Sequence, residues 1–274
     1  MTQEAALQPA LLVFTDLDGS LMEHETYSIE PAMPALQEVL GRGFALIMNS
    51  SKTAAEILAL QKTLKLSAPF VCENGAALQL LSPAPDGQSR IVFGQLRSEW
   101  LPAVHAMRAE AGFEFEGFAD WQPDKISELT GLDKADAELA QTREYSEPIL
   151  WRGSAKQKEL FESKLAQLGL NLLEGGRFHS IQGQHTKSDA MHWLKQQQSD
   201  ASMIITVALG DSPNDSAMLD AADIAVIIKS GKSARIELHA APQIIRTSRP
   251  GPAGWQDAMS QILAQLDSNE LAIN

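Results

Sequence analysis

Two aspartates separated by a single residue follow the first apolar run of the chain. The run Leu11-Leu12-Val13-Phe14 predicts a buried strand, and the segment Thr15-Asp16-Leu17-Asp18-Gly19-Ser20 comes directly after it. In open α/β sheets, ligands bind beyond the carboxyl ends of the strands, which is where this segment lies. Because side chains at i and i+2 of an extended segment point the same way, Asp16 and Asp18 form a pair of like charges that needs a cation, a shared proton or solvent. The alternative interpretation is an exposed Asp-x-Asp-Gly turn in a loop.

A second acidic segment occupies the same position after another strand. The residues Gly210-Asp211-Ser212-Pro213-Asn214-Asp215 follow the apolar run at 204–209. Asp211 or Ser212 could cap the helix that follows. Capping accounts for one acidic or hydroxyl residue, whereas Asp211 and Asp215 occur together beside a glycine.

The two acidic segments together predict a magnesium site. Asp16, Asp18 and Asp211 can converge as hard oxygen ligands on one octahedral Mg²⁺, with positions left for water and a phosphate oxygen. The histidines and the cysteine of the sequence form no grouping that suits a softer metal.

Two further segments suit a bound phosphoryl group. Asn49-Ser50-Ser51-Lys52 follows the second predicted strand and offers hydroxyls to phosphate oxygens. The alternative is that Ser50 or Ser51 is the N-cap of the helix that begins at Thr53, and capping and phosphate binding can coexist. Lys187 opens the helix before the last acidic segment, where it would offset phosphate and carboxylate charge; its alternative is a solvated surface charge.

Short apolar runs alternate with amphipathic stretches in both end regions of the chain. The alternation predicts βαβ units and a parallel sheet covered on both faces. The predicted strands lie at 11–14, 44–48, 70–72, 203–209 and 224–228, and the predicted helices at 34–40, 53–64, 188–197 and 216–222. The middle of the chain differs: a Pro/Gly-rich linker at 82–87 precedes strand-like pieces at 90–93, 149–152 and 178–182 and helix-like pieces at 100–111 and 156–168. We therefore expect an α/β fold with a Rossmann-like parallel-sheet core at 1–83 and 186–274 and an α+β cap domain inserted at 84–185.

Composition narrows the classes of function. With 35 acidic against 22 basic residues and a net charge of −13, binding to a nucleic-acid backbone is disfavoured. The single cysteine, Cys72, excludes an internal disulfide and a multi-cysteine zinc site. Because no apolar stretch reaches the roughly 18 residues of a membrane span and the N-terminus lacks a basic signal region, we expect a cytoplasmic protein that contacts no membrane. The sequence gives no indication of the oligomeric state.

This set of segments resembles the four motifs of the haloacid dehalogenase superfamily. In order, the motifs correspond to Asp16-Leu17-Asp18-Gly19-Ser20, Ser50, Lys187 and Gly210-Asp211 to Asp215. The resemblance implies a Mg²⁺-dependent phosphotransfer fold in which Asp16 is the nucleophile and Asp18 is the general acid and base, with the backbone carbonyl of Asp18 as a metal ligand. It also implies that Lys187 neutralises charge on the transferring group and that Asp215 orients Lys187 or a metal-bound water. The distance from Ser50 to Lys187 matches the Cof-type branch, whose large α/β cap confers substrate specificity.

Within the superfamily, the sequence is similar to mannosyl-3-phosphoglycerate phosphatases. The similarity lies in four short segments, Ser50-Ser51-Lys52-Thr53, Glu73-Asn74-Gly75-Ala76, Arg143-Glu144-Tyr145-Ser146-Glu147-Pro148 and Gly175-Gly176-Arg177-Phe178-His179. The lysine motif departs from the common pattern, since Ser188 stands where a glycine often follows the lysine.

A phosphorylated glycerate carries a carboxylate as well as a phosphate, so its site needs additional donors. The candidate substrate-binding residues are Ser51, Lys52, Asn74, Arg143, Glu147 and Arg177. The basic members could hold the carboxylate, which Arg can grip through two parallel hydrogen bonds, and Asn74 and Glu147 could contact sugar hydroxyls. Surface ion pairing is the alternative for Arg143 and Arg177.

These observations predict a phosphatase that converts mannosyl-3-phosphoglycerate to mannosylglycerate and phosphate. The partner would be a small phosphorylated sugar or glycerate, and the cofactor Mg²⁺. Three alternatives remain: a phosphatase of another sugar phosphate, a phosphomutase that returns the phosphoryl group to a sugar, and a phosphosugar-binding protein without activity. The last would not need a nucleophile beside an acid.

Overall fold

The computed structural model describes residues 10–24, 26–84, 87–175, 177–197, 204–268 and 270–271. Pro85 and Asp86 of the predicted linker, Gly176 of the Gly175–His179 segment and Met203 of a predicted strand lie outside the described residues.

Strands and helices alternate along the described chain. The strands are β1 (Ala10–Thr15), β2 (Ala45–Asn49), β3 (Phe70–Cys72), β4 (Ala77–Gln79), β5 (Arg90–Val92), β6 (Phe115–Gly117), β7 (Ser146–Trp151), β8 (Asn171–Glu174), β9 (His179–Gln182), β10 (Ile204–Gly210), β11 (Ile224–Lys229) and β12 (Gln243–Pro250). The helices are α1 (Met33–Gly41), α2 (Ala54–Leu64), α3 (Arg97–Ala111), α4 (Pro123–Thr130), α5 (Lys134–Gln141), α6 (Ala155–Gln167), α7 (Asp189–Gln197), α8 (Ser216–Asp220) and α9 (Gly251–Asp267).

The chain divides into two compact units. Unit 1 comprises residues 1–50, 68–70 and 187–274, and unit 2 comprises residues 51–67 and 71–186. The sequence predicted that residues 51–67 and 71–83 belong to the core, whereas in the structure these residues group with unit 2. Helix α2 has a partner there, because the Thr53 hydroxyl donates to the carbonyl of Leu139 in α5 at 3.0 Å. The predicted boundaries of an inserted cap stay a prediction.

Unit 1 is built on a parallel sheet. Strand β1 pairs in parallel with β10 and β2, β10 pairs with β11, and β11 pairs with β12. Residues 11–15 of β1 and 205–210 of β10 are buried throughout, as expected of central strands in a sheet covered on both faces. The predicted α/β fold with a parallel-sheet core is confirmed. Because β1, β2 and β10 run in the same direction, the segments that follow them emerge at one edge of the sheet.

The C-terminal helix α9 packs on unit 1 through one continuous apolar face. Its buried side chains include Trp255, Ala258, Met259, Ile262, Leu263 and Leu266, whose spacing is that of an amphipathic helix. The amide of Ala35 in α1 donates to Gln256 Oε1 at 2.9 Å. In the part of the chain that the structure describes, no helix is long and apolar enough to cross a bilayer.

Unit 2 contains a four-stranded antiparallel sheet with the strand order β6–β7–β9–β8, and it also contains the antiparallel pair β4 and β5. Aromatic side chains fill the interior between this sheet and helices α3 and α6, where Trp100 packs with Phe113, Phe115 and Phe161. A second apolar cluster joins α4 and α5 to Phe118 and Trp121. The unit therefore has a core of its own.

The start of α2 contradicts the alternative interpretation of Ser50 or Ser51 as the N-cap. The N-cap is Thr53, not Ser50 or Ser51. Its side chain accepts from the amide of Glu56 at 3.1 Å, and Glu56 Oε2 accepts from the amide of Thr53 at 2.8 Å. This reciprocal capping box satisfies two amides of the first turn, so neither serine is needed as a cap.

Candidate catalytic site

Asp16 lies at the end of β1, in a tight turn of unit 1. Its amide donates to the carbonyl of Leu209 at the end of β10 at 2.9 Å, which fixes the start of the turn to the neighbouring strand. Gly19 has φ +81° and donates to the carbonyl of Met22 at 2.8 Å. A Cβ at position 19 would lie 2.8 Å from Asp211 Oδ2. The glycine therefore allows both the backbone conformation and the close approach of Asp211.

Lys187 is fully buried and bridges two carboxylates. Its Nζ lies 2.6 Å from Asp16 Oδ1 and 2.7 Å from Asp215 Oδ1. Burial acts to lower the pKa of Lys187, but the charges of Asp16 and Asp215 and the hydrogen bonds to them outweigh it and raise the pKa above its ordinary value. The ammonium thus stays charged. Asn49, which precedes Ser50, holds the lysine backbone by donating from Nδ2 to the Lys187 carbonyl at 2.7 Å.

Asp215 orders the turn after β10. Its Oδ2 accepts from the amides of Asp211 at 3.0 Å and Ser212 at 3.1 Å, while its Oδ1 contacts the lysine. A Cβ at Gly210 would lie 2.5 Å from Asp215 Cβ, so this position has no room for a larger residue. The Ser230 hydroxyl, in the loop after β11, donates to the Asp211 carbonyl at 2.7 Å. The family resemblance implied that Asp215 orients Lys187 or a metal-bound water, and the structure shows the contact with Lys187. No pattern in the sequence indicated the Ser230 contact.

The carboxylates of Asp16, Asp211 and Asp215 form a buried acidic cluster. One oxygen from each lies within 4.8 Å of the others. Burial raises the pKa of Asp16, Lys187 acts against this, and the charges of Asp215 and Asp211 raise the pKa further. Lys187 brings one positive charge to this cluster of three carboxylates, so an excess of two negative charges remains when all three are ionised and His24, beside Asp211, is neutral. A divalent cation fits this charge, and carboxylate oxygens are ligands that Mg²⁺ prefers.

The structure distinguishes the predicted metal ligands. Asp16 and Asp211 have carboxylate oxygens in the acidic cluster, whereas the Asp18 side chain is not among the clustered groups of the described residues. This arrangement is compatible with the backbone carbonyl of Asp18, which the sequence resemblance implied as the ligand. Asp215 is engaged by Lys187 and by two amides, which suits an orienting role. His24, which the sequence did not single out, lies with Nε2 3.7 Å from Asp211 Oδ2.

Ser50 is buried at the end of β2 in unit 1, while Ser51 and Lys52 begin unit 2. In unit 2, Arg143 Nη1 donates to the Ser51 carbonyl at 3.1 Å and to Ser146 Oγ at 3.0 Å. The Arg143 guanidinium also lies over the ring of Phe118, 5.4 Å from its centroid. Ser51 and Arg143 are therefore brought together.

The loop after β3 holds the backbone next to Arg143. The buried Glu73 carboxylate accepts from the amides of Glu144 at 2.9 Å and Tyr145 at 3.0 Å and from Ser146 Oγ at 2.6 Å. Asn74 is buried beside it and donates to Gln182 Oε1 at 3.2 Å. Glu73 organises this region across more than seventy residues of sequence. The sequence singled out the segment that contains Glu73 by its similarity, but no local pattern indicated these contacts.

Two other predicted substrate-binding residues have structural partners within unit 2. Glu147 is buried, accepts from Arg97 Nη1 at 2.6 Å and accepts from the Ala119 amide at 2.7 Å. Burial raises the pKa of Glu147, and the Ala119 amide and Arg97 act against the shift. Arg177 is exposed and donates to the Leu129 carbonyl. Roles in substrate binding for both residues stay predictions.

The chain is similar to known proteins both in sequence and in structure. Residues 13–84 match the family model of haloacid dehalogenase-like hydrolases. Similar solved structures include a haloacid dehalogenase-like hydrolase from B. subtilis, with 16% identity, a TM-score of 0.64 and coverage of 92% of this chain and 99% of that chain. A phosphatase of the haloalkanoate enzyme superfamily from Bacteroides thetaiotaomicron has 18% identity and a TM-score of 0.63 over 100% and 99% of the two chains. The subclass IIB sugar phosphatase BT4131 has 17% identity and a TM-score of 0.66 over 92% and 98%.

The chain has the fold of these haloacid dehalogenase-like structures. The family match includes Asp16 and Ser50 but ends before Lys187 and Asp215. In this haloacid dehalogenase-like fold, parallel pairing of β1 with β10 nevertheless brings the turn that contains Asp215 to the end of β1. The short matched region and the distant C-terminal segments therefore form one site.

Proposed function

We propose that this protein is a Mg²⁺-dependent phosphatase that hydrolyses a phosphate monoester through an aspartyl phosphate on Asp16. The observation that carries the proposal is the buried lysine bridge: Lys187 Nζ lies within 2.7 Å of both Asp16 and Asp215, with Asp211 in the same cluster. A binding protein would not need a carboxylate held against a buried cation beside a second aspartate.

Each residue has a role that follows from its position. Lys187 holds Asp16 Oδ1, which leaves Oδ2 to attack phosphorus. The new phosphorus–oxygen bond forms as the ester oxygen leaves, and Asp18 would protonate that oxygen. In the second half, Asp18 would take a proton from the attacking water, phosphate would leave and the Asp16 carboxylate would be restored. Mg²⁺, held by Asp16, Asp211 and the Asp18 carbonyl, would supply charge neutralisation on the phosphoryl oxygens.

Two further contacts fix the orientation of Lys187. Asp215 places the ammonium by its second contact, and Asn49 holds the lysine backbone. Ser50 is buried at the adjacent strand end, where its hydroxyl would donate to a phosphoryl oxygen. Such fixed donors around a developing charge are the main source of catalysis in phosphoryl transfer.

For the substrate, we propose mannosyl-3-phosphoglycerate. The support is the similarity of four sequence segments to phosphatases of this substrate, together with the chemistry of Arg143, whose planar guanidinium suits a carboxylate. The structural neighbour BT4131 bears the name sugar phosphatase, which favours a phosphorylated sugar as the class. Another sugar phosphate is the second candidate, and a phosphomutase reaction is the third.

Phosphate release from a panel of phosphate esters tests the reaction. Mannosyl-3-phosphoglycerate, other sugar phosphates and p-nitrophenyl phosphate are each offered with Mg²⁺ and with EDTA. We expect release only with Mg²⁺ and loss of turnover in Asp16→Asn, which keeps the shape of the side chain but removes the nucleophile. Asp124→Asn is the matched control, because Asp124 is exposed and pairs only with Lys134 in the described residues. Full activity of Asp16→Asn would refute the nucleophile, and an isomerised phosphosugar without free phosphate would indicate a mutase.

The substrate proposal has a separate test in Arg143→Ala. We expect kcat/KM for mannosyl-3-phosphoglycerate to fall about 10- to 100-fold, the size expected for a lost charge-assisted hydrogen bond, with little change for p-nitrophenyl phosphate. Arg152→Ala removes an exposed arginine that pairs with Glu116 and serves as the control. Equal losses on both substrates would assign Arg143 a structural role through Ser51 and Ser146 instead.

A further inference from the structure

A chain of hydrogen bonds links the C-terminal helix to the backbone of Asp16. Trp255 Nε1 in α9 donates to Thr15 Oγ1 at 3.1 Å, and Thr15 Oγ1 donates to the Asp16 carbonyl at 2.8 Å. Both side chains are fully buried. The first and last members of the chain are more than two hundred residues apart in sequence.

The indole of Trp255 sets the direction of this hydrogen-bond chain. An indole N–H only donates, whereas a hydroxyl both donates and accepts and can rotate. Because Trp255 occupies the acceptor side of the Thr15 hydroxyl, the hydroxyl proton is directed to the Asp16 carbonyl. In a buried site such linked bonds strengthen each other, and no water competes for them.

Together with two backbone hydrogen bonds, the hydrogen-bond chain holds the backbone of Asp16 in place. The Asp16 amide is bound to the Leu209 carbonyl at 2.9 Å, and the Asp16 carbonyl accepts from Thr15 and, at 3.3 Å, from the Leu21 amide. Both peptide groups that flank the Asp16 Cα are thus held. The carboxylate between them meets Lys187 at 2.6 Å.

We propose that Trp255 is a positioning residue for Asp16 and acts through the Thr15 hydroxyl. The inference rests on the proposed function, in which Asp16 is the nucleophile. It goes beyond core packing, because packing alone would not require the indole N–H. A misplaced nucleophile lowers the rate of attack, whereas binding of the substrate is largely unaffected.

The test is a double-mutant cycle on kcat and KM with p-nitrophenyl phosphate and Mg²⁺. Trp255→Phe removes the N–H and keeps an aromatic ring, and Thr15→Val removes the hydroxyl at nearly constant shape. We expect each to lower kcat about three- to tenfold with KM little changed, and the double variant to lose no more than either single one. Thr15→Ser, which keeps the hydroxyl, should restore the rate. Trp151→Phe is the control, since its indole donates instead to the Gly153 carbonyl in unit 2.

Two kinetic outcomes would overturn the proposal: unchanged kcat in Trp255→Phe, or losses that multiply in the double variant. All rates are measured well below the Tm of each variant, so that partial unfolding is not read as lost positioning. If the wild type releases no phosphate from any ester, the proposed function fails by itself. The hydrogen-bond chain is then tested by the indole ¹H resonance of Trp255, which should shift upfield in Thr15→Val; an unchanged resonance would refute the chain.

Discussion

The buried ammonium of Lys187 is the residue on which the candidate site depends most. A charged group this deep in a protein is costly to desolvate. The attraction between the ammonium and its two carboxylate partners offsets that desolvation cost. Each contact is direct, with Nζ at 2.6 Å from Asp16 and 2.7 Å from Asp215. Removal of the lysine would leave both carboxylates buried without a cation.

We expect Lys187→Met to lower the free energy of unfolding by about 3–5 kcal/mol in metal-free buffer, because two buried charges lose their partner. Urea denaturation followed by circular dichroism measures the change. Adding Asp215→Asn to this variant removes one of the charges and should recover at least about 1 kcal/mol. A loss below about 1 kcal/mol in Lys187→Met would mean that the bridge contributes little to the native state.

At the scale of elements, the sequence predicted the strands that carry the site because their signals are local. The apolar runs at 11–14, 44–48 and 224–228 correspond to β1, β2 and β11 with ends that differ by at most one residue. Strand ends in a parallel sheet share an edge, so the meeting of Asp16 with the turn after β10 followed from topology. The capping box at Thr53 and Glu56 was also visible as a local Thr-x-x-Glu pattern, although Ser50 and Ser51 were considered instead.

Contacts between distant segments could not be predicted in this way. Glu73 with Ser146, Arg97 with Glu147, and Trp255 with Thr15 join residues separated by 73, 50 and 240 positions. Each member has an ordinary local interpretation as a turn, helix or core residue. Only the tertiary fold determines the partner, so composition and periodicity carry no trace of it.

The turn after β10 has no room for a side chain at Gly210, which predicts the effect of a substitution there. In Gly210→Ala the new Cβ would lie 2.5 Å from Asp215 Cβ, which forces the carboxylate away from Lys187. We expect a loss of about 1–3 kcal/mol in stability and about a hundredfold in kcat. Gly231→Ala is the matched control, because a Cβ at that position meets nothing within 4 Å. Equal activity of the two variants would show that the turn accommodates the methyl group and that Asp215 need not stay in place.

For the whole molecule, the division into units depends on packing partners that the sequence pattern leaves open. The apolar spacing in α2 predicts an amphipathic helix but does not say which surface receives its buried face. In the structure α2 groups with unit 2, where Thr53 contacts Leu139 of α5. A boundary placed by composition at the Pro/Gly-rich segment 82–87 therefore does not coincide with the grouping by contacts.

The chain contains one cysteine, and its burial makes the stability of the molecule sensitive to alkaline pH. Cys72 is 1% exposed, and burial, with the charge of Glu73 as the next cause, raises the pKa of its thiol from 9.0 to about 12. Between these values the folded state keeps the thiol proton and the unfolded state loses it. The contribution of Cys72 to stability is therefore fully present below pH 9 and is lost as the pH rises towards 12.

Other groups also titrate above pH 9, so the effect of the thiol must be isolated by comparison with Cys72→Ala. The variant loses packing equally at every pH, which shifts its curve by a constant. Since each unit of pH between the two pKa values costs about 1.4 kcal/mol, the wild type should lose about 2 kcal/mol more than the variant between pH 9 and roughly pH 10.5. Urea unfolding at pH 8, 9 and 10.5 measures both curves. Parallel curves would mean that the Cys72 thiol ionises as easily in the native protein as in the unfolded chain, and hence that the native structure lets solvent or a cation reach it.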